Sequence, residues 1–115
     1  MLPHPHRITE GREFAAVVRR GARRGSESIV VHARATEPDA PARFGFVVSK
    51  AVGGAVRRNV VKRRLRACAA NRIRAGLRGV DVVVRALPAA LAADFAELDR
   101  QLASNISRAV GAGAR

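Results

Sequence analysis

Three segments of the chain place apolar residues at the three- and four-residue spacing of a helix. The first follows Thr9, a residue type favoured at helix N-caps, and stops at Gly21. The last carries an apolar stripe with spacings of four, three, four and four, made by Leu91, Phe95, Leu98, Leu102 and Ile106. The pattern predicts helices over residues 10–20, about 55–75 and about 90–110.

Three shorter segments are rich in β-branched residues and predict strands. They read SIVVHARA over residues 28–35, RFGFVVSK over 43–50 and VDVVVRA over 80–86. The seven residues between the first two strands, TEPDAPA, contain two prolines and predict a turn. We therefore expect these two strands to pair as a hairpin. Gly53 and Gly54 separate the second strand from the long helix, and Pro88 ends the third strand.

The order of these elements is α-β-β-α-β-α, which predicts an α+β fold, a sandwich with helices packed on one small central sheet. A chain of 115 residues is one ordinary domain, so we expect a single domain over 1–115 with mobile tails at about 1–7 and 111–115. The first residues, MLPHPHRITEGRE, contain no apolar stretch, and no window approaches about 18 apolar residues. The expected location is cytoplasmic.

The net charge points to a polyanionic partner. Twenty-two Lys and Arg residues against nine Asp and Glu residues give a net charge of +13. So much like charge on a small domain is repulsive, and binding to a polyanion would relieve the repulsion. Arg predominates, and its guanidinium can pair with phosphate in a bidentate way and stack on bases. A GC-rich genome would account for Arg in place of Lys, but not for the net charge.

The charge is concentrated in one block of the chain. Between Asp39 and Asp81, 41 residues include no acidic side chain and eleven cationic ones. Such a block is typical of either a disordered basic arm or a binding face. Apolar residues recur at regular spacing inside it, and this favours a folded face.

The cysteine and histidines suggest no separate chemistry. Cys68 has no second cysteine to pair with and lies among alanines in a helical pattern, so we interpret it as a small packed residue. His4 and His6 have no Cys or acidic partner at a ligand spacing, so we expect no metal site in the protein.

The segment AVRRNVVKRRLR, residues 55–66, predicts a two-sided helix. At about 100° per residue, five polar side chains fall within an arc of about 140°. These are Arg58, Asn59, Lys62, Arg63 and Arg66. Val61, Leu65 and Cys68 fall on the opposite side and predict the packing stripe.

The polar side of this helix has the chemistry of a nucleic-acid interface. Four cations within three turns repel one another, and no nearby acid compensates them. A solvated helix face normally mixes both signs of charge, so the absence of acids disfavours that alternative. The Asn59 amide both donates and accepts, so it can hold a base edge, a 2′-hydroxyl or a metal-bound water.

The same residues resemble the signature of the bacterial ribonuclease P protein subunit, in which Arg-Asn is followed two residues later by Lys-Arg and then by another Arg. Here the signature reads Arg58-Asn59, Lys62-Arg63 and Arg66. The flanking segments are similar too: FGFVVSK at 44–50, Val52-Gly53 with Ala55-Val56, Phe14 with Gly21, and VDVVV at 80–84. The resemblance extends from about residue 7 to about residue 108.

The resemblance implies a ribosomal-protein-S5-like fold with a left-handed βαβ crossover and two RNA-binding sites. The basic helix would face the catalytic RNA through Arg57, Arg58, Asn59, Lys62, Arg63 and Arg66. A cleft between the sheet and the first helix would hold the single-stranded 5′ leader of precursor tRNA. Its residues would be Phe14, Val18, His32, Phe46, Val48, Ser49 and Lys50.

The resemblance also implies the function. The chain would be the protein subunit of the ribonucleoprotein ribonuclease P, an endonuclease that hydrolytically removes the leader and leaves the mature tRNA 5′ end. Catalysis would belong to the RNA, with magnesium bound mainly by the RNA, so the protein would hold no catalytic residue and be inactive alone. Its partners would be the catalytic RNA and precursor tRNA, with no membrane and no obligate protein partner.

Two alternatives belong to other functional classes. A basic RNA-binding module without enzymatic context, such as a ribosomal protein, explains the charge equally well. A stand-alone protein enzyme is disfavoured because no Ser-His or Cys-His arrangement and no carboxylate cluster has a recognisable spacing.

The chain also departs from the family pattern at four positions. The family frequently has an Arg at the position of Val60 and an aromatic residue at that of Val18. It frequently has a Tyr at the position of His32 and a Lys at that of Ala51.

Overall fold

A computed structural model of the chain describes residues 2–113, with the side chains of residues 2–111. It confirms the α+β fold, with three helices and one four-stranded sheet in this described part. The helices are α1 (Gly11–Arg20), α2 (Ala55–Arg74) and α3 (Phe95–Gly113). The strands are β1 (Ala22–Gly25), β2 (Ile29–Ala35), β3 (Arg43–Val47) and β4 (Val80–Ala86). Two short 3-10 helices cover His4–His6 and Pro88–Leu91.

The elements differ from the sequence predictions at several places. The second predicted strand, over 43–50, ends at Val47. Helix α1 begins after Glu10 rather than after the predicted cap Thr9, and Glu10 makes no side-chain cap bond. The last predicted helix is divided: Pro88–Leu91 forms the 3-10 turn, and α3 begins only at Phe95. Strand β1 was not predicted, because ARRG is too short and too polar to show a strand pattern, and it exists through its pairing with β2.

The order of the strands in the sheet is β1-β2-β4-β3. Strand β4 is antiparallel to β2 and parallel to β3, so the predicted hairpin between residues 28–35 and 43–50 is wrong. Consecutive Val82, Val83 and Val84 of β4 are at most 1% exposed, so both faces of this strand need cover. Helix α1 provides that cover on one face, and the main core with α2 and α3 provides it on the other. The left hand of the β3-α2-β4 crossover stays a prediction.

The two faces of the sheet carry different helices. Strand residues alternate between faces, and one face, with Phe44, Val82 and Val84, packs with α2 and α3 in the main core. The opposite face contacts α1, where Val17 and Val83 are buried together. The two predicted RNA-binding sites are therefore based on helices that lie on opposite sides of the sheet.

The segment before α1 lies along the free edge of β3. Leu2 is 3% exposed and belongs to the main core. The backbone N–H of Ile8 donates to the Phe44 carbonyl at 3.0 Å, and His6 Nδ1 lies 2.7 Å from the Ala42 carbonyl oxygen. The segment expected as a mobile tail, about 1–7, thus includes two residues with packed or bonded partners, Leu2 and His6. At the other expected tail, α3 extends to Gly113, and residues 114 and 115 lie outside the described part.

Candidate nucleic-acid interface

The rotation of α2 about its axis is fixed by four buried side chains. Val61, Leu65, Cys68 and Ala69 are all 0% exposed, which confirms the predicted packing stripe. Burial raises the pKa of the Cys68 thiol to about 12, so this residue is a neutral packed group at physiological pH. With this stripe turned to the core, the side of α2 that carries the signature residues faces outward.

The outward side of α2, together with Arg57 of its first turn, forms what we call the basic face: Arg57, Arg58, Asn59, Lys62, Arg63 and Arg66. Three of these side chains are exposed and the other three are half-buried. Among the described side chains, none of the five cations forms an ion pair or a side-chain hydrogen bond. The Nε of Arg58 is buried and has no partner among the described atoms. The basic face therefore carries uncompensated positive charge.

Other cations of the acid-free block are used inside the fold. Arg43 pairs with Asp81 at 2.8 Å and with Glu13 at 3.0 Å, and hydrogen bonds to Asp81 and then Glu13 raise the pKa of Arg43. Arg64 donates to the Ala93 carbonyl at 3.0 Å. The carboxylates that form ion pairs in the described part thus do so with cations outside the basic face, a separation that the sequence did not reveal.

A groove of about 270 Å³ runs between the N-terminal segment, the edge strand β3 and α2; we call it the edge groove. Phe14 and Phe46, predicted for the leader cleft, line it together with Lys62 and Arg66 of the basic face. The structure thus brings part of each predicted site to one surface, where aromatic rings and cations lie side by side.

Two other residues predicted for the cleft lie on the α1 side of the sheet. His32 pairs across the strands with Val83, which packs under α1, and it is 9% exposed. Burial lowers the pKa of His32, and the nearby Arg23 and Arg85 lower it further. The Nδ1 of His32 has no partner among the described atoms. Val18, on α1, is 39% exposed.

The remaining predicted cleft residues are not brought together with His32. Phe46 stacks on Phe44 with ring centroids 6.2 Å apart, and Val48 is 7% exposed in the main core. Both therefore belong to the face opposite His32, because strand residues alternate between faces. Ser49 and Lys50 are exposed in the turn that leads to α2.

Three residues on the His32 side were missed by the sequence reasoning. Val47 packs with the α1 cluster, and Arg23 and Arg85 flank His32. The period-two pattern of β3 and β4 contained the signal for Val47 and Arg85. Arg23 lies on β1, a strand that shows no such pattern.

Two further properties concern the described part as a whole. Within it, no group of three or more His, Cys, Asp and Glu side chains lies together in a way that could hold a metal ion. None of its helices is both long and apolar enough to span a bilayer.

Comparison with known proteins gives concordant matches along the chain. The profile of a family described as Ribonuclease P matches residues 2–110. The ribonuclease P protein component of Streptomyces bikiniensis is 51% identical over 123 residues, with 100% of each chain covered. That of Kocuria rhizophila is 50% identical over 110 residues, with 96% of each chain covered.

Solved structures match as well. The RNase P protein of Thermotoga maritima superimposes with a TM-score of 0.77 at 27% identity, covering 89% of this chain and 96% of that one. The RNase P protein of Staphylococcus aureus superimposes with a TM-score of 0.79 at 24% identity, covering 90% and 94%, and supports the fold.

Proposed function

The chain belongs to the ribonuclease P protein component family, and from this membership we propose that its basic face binds the catalytic RNA of that tRNA-processing enzyme. The edge groove and the adjoining α1 side of the sheet would receive the 5′ leader of precursor tRNA. Family membership disfavours the alternative of an RNA-binding module without enzymatic context.

The observation that carries the first part is the lack of acid partners on the basic face. Four cations lie on one side of α2 and Arg57 is exposed in its first turn, while the carboxylates that form ion pairs in the described part do so with other cations. Such a face neutralises phosphates and releases their counterions, which favours binding at low salt. A plain stability role is disfavoured, since like charges at helical spacing weaken a helix.

The second part rests on the edge groove. Single-stranded nucleic acid binds where cations follow the backbone and aromatic rings stack on bases. Phe14 and Phe46 supply the rings, and Lys62 and Arg66 supply the charges. Because Lys62 and Arg66 also belong to the basic face, leader and catalytic RNA would meet along one helix. This shared boundary would place the cleavage junction next to α2.

The chemistry of cleavage follows from the charge of this surface. A cationic face attracts phosphates and repels Mg²⁺, so we assign magnesium mainly to RNA phosphates, with catalysis by the RNA. Bound there, magnesium would activate a water and stabilise charge on the scissile phosphate. The protein holds leader and RNA in register, and the Asn59 amide can orient a base edge, a 2′-hydroxyl or a metal-bound water.

The test is reconstitution with the RNA subunit, measured as single-turnover cleavage of a precursor tRNA. We expect cleavage at the leader junction with the RNA present, stronger with protein added and most so at low magnesium, and none with protein alone. Affinity should rise for precursor but not for mature tRNA, which lacks the leader. The proposal fails if the protein leaves precursor affinity unchanged, or if RNA-free protein cleaves the substrate.

A further inference from the structure

A second groove on α2 lies across Arg66 from the edge groove and contains an exposed aromatic ring; we call it the Phe95 groove. It has a volume of about 600 Å³ and is lined by Val60, Arg63, Arg64, Arg66, Ala67 and Phe95. Phe95 is the first residue of α3 and is 40% exposed, so this aromatic residue is open to solvent beside the guanidinium groups that line the groove.

We propose that the Phe95 groove binds an unstacked nucleotide of the RNA subunit, with its base against the Phe95 ring and its phosphates against Arg63 and Arg66. The inference rests on the proposed function, because it requires the basic face to contact that RNA. It adds a stacking contact from an aromatic ring, which the signature residues of α2 cannot supply.

The charge distribution around the groove selects a nucleotide. Its lining includes three guanidinium groups and no carboxylate. The acidic side chains at the start of α3, Asp94 and Glu97, line a different depression with Glu27. A nucleotide supplies both a flat apolar surface for the ring and an anion for the guanidinium groups. A protein segment would match only if it combined apolar and acidic groups at this spacing.

The backbone around Phe95 is held in position by two contacts with α2. Arg64 donates to the Ala93 carbonyl at 3.0 Å, and the Cys68 Sγ lies 4.0 Å from the Phe95 carbonyl oxygen. These contacts attach the start of α3 to the buried side of α2. The backbone segments that carry the ring and the guanidinium groups are thereby fixed relative to each other before RNA binds, which lowers the entropic cost of binding.

The position of the groove favours the RNA subunit over the leader as its occupant. In the proposed function the leader occupies the edge groove, which has its own aromatic rings. Arg66 lines both grooves, so RNA that covers the basic face continues directly into the Phe95 groove. The leader would have to cross the same helix to reach it.

The experiment measures equilibrium binding of full-length protein to the RNA subunit for Phe95→Leu, Phe95→Trp and Val56→Ala. Phe95→Leu keeps an apolar side chain but removes the ring, so Kd should rise about fivefold or more, while the salt dependence stays unchanged. Phe95→Trp should retain parental affinity. Val56 lies on α2 outside the lining of the groove and is 78% exposed, so Val56→Ala is the control for loss of an exposed apolar side chain and should bind like the parent.

Chemical probing of the RNA in each complex locates the contact. A base that the parent protein protects should become reactive with Phe95→Leu and remain protected with Val56→Ala. If Phe95→Leu binds like the parent while Lys62→Ala binds more weakly, this inference is wrong and the proposed function stands. If neither substitution weakens binding, the proposed function fails as well. Equal losses for Leu and Trp, with lowered melting temperatures, would make Phe95 a structural residue and overturn the inference.

Discussion

The ring of Phe14 lies so close to the backbone of Gly45 that a β-carbon at position 45 would be 2.3 Å from Cε2 of the ring. Real β-carbons do not approach other atoms so closely, so Gly45 is what allows α1 to rest on β3 with this ring between them. Both residues also line the edge groove. The absence of one side chain thus shapes the proposed leader site.

The contact predicts a strong coupling between positions 14 and 45. Gly45→Ala should lower the free energy of unfolding by about 1–3 kcal/mol, because the added carbon must displace the half-buried ring. In a Phe14→Ala background the same substitution should cost much less, since the obstructing atoms are gone. Urea denaturation of the four proteins in a double-mutant cycle measures the coupling. Additive effects at the two sites would contradict this packing.

The two sides of α2 should respond differently to truncation. Leu65 is 0% exposed, so Leu65→Ala should lower the free energy of unfolding by about 2–5 kcal/mol. Arg63 is exposed and has no acid partner among the described residues, so Arg63→Ala should change stability by about 0.5 kcal/mol or less yet weaken RNA binding. Thermal denaturation and RNA binding of both variants check this. Equal losses of stability would mean that α2 is oriented otherwise.

His32 should make stability dependent on pH. Burial and the adjacent Arg23 and Arg85 lower the pKa of His32 below its ordinary 6.5, so the folded protein prefers the neutral ring. The stabilisation is therefore complete above that ordinary value and is lost as the pH falls through the lower, folded-state pKa. We expect the free energy of unfolding to decrease between about pH 7.5 and about pH 5, and to decrease less in His32→Gln. The carboxylates titrate in both proteins, so an identical pH dependence would exclude a contribution from His32.

Substitutions at Asn59 and Lys62 distinguish the contribution of specific hydrogen bonds to RNA binding from the contribution of charge. Asn59→Ala removes no charge, so the salt dependence of RNA binding should persist, while loss of its hydrogen bonds should cost the reconstituted enzyme about 1–3 kcal/mol, most visibly at limiting magnesium. Lys62→Ala is the comparison and should flatten the slope of log affinity against log salt by about 0.7. The measurement is single-turnover cleavage across a magnesium titration. If Asn59→Ala cleaves at the parental rate at every magnesium concentration, Asn59 makes no functional contact with RNA or a metal-bound water.

The sequence by itself determined the features that depend on near neighbours along the chain. The outward direction of the basic face followed from residues 56–68, because helical periodicity fixes which side chains share a face. Strand β4 was predicted from seven residues, and it lies where expected. The alternation along β3 likewise assigns Phe46 to the core face and Val47 to the α1 face.

Only the tertiary structure decided which elements became neighbours. Strand pairing depends on contacts between segments far apart in the chain: β4 lies between β2 and β3, where both of its edges are hydrogen-bonded and its three consecutive valines are buried. Strand β1 exists through this pairing and has no local pattern of its own. The two grooves combine residues from segments far apart in the chain, such as Phe14 with Lys62 and Arg63 with Phe95. No local period encodes such distances, because they arise when independently predictable elements are packed around one core.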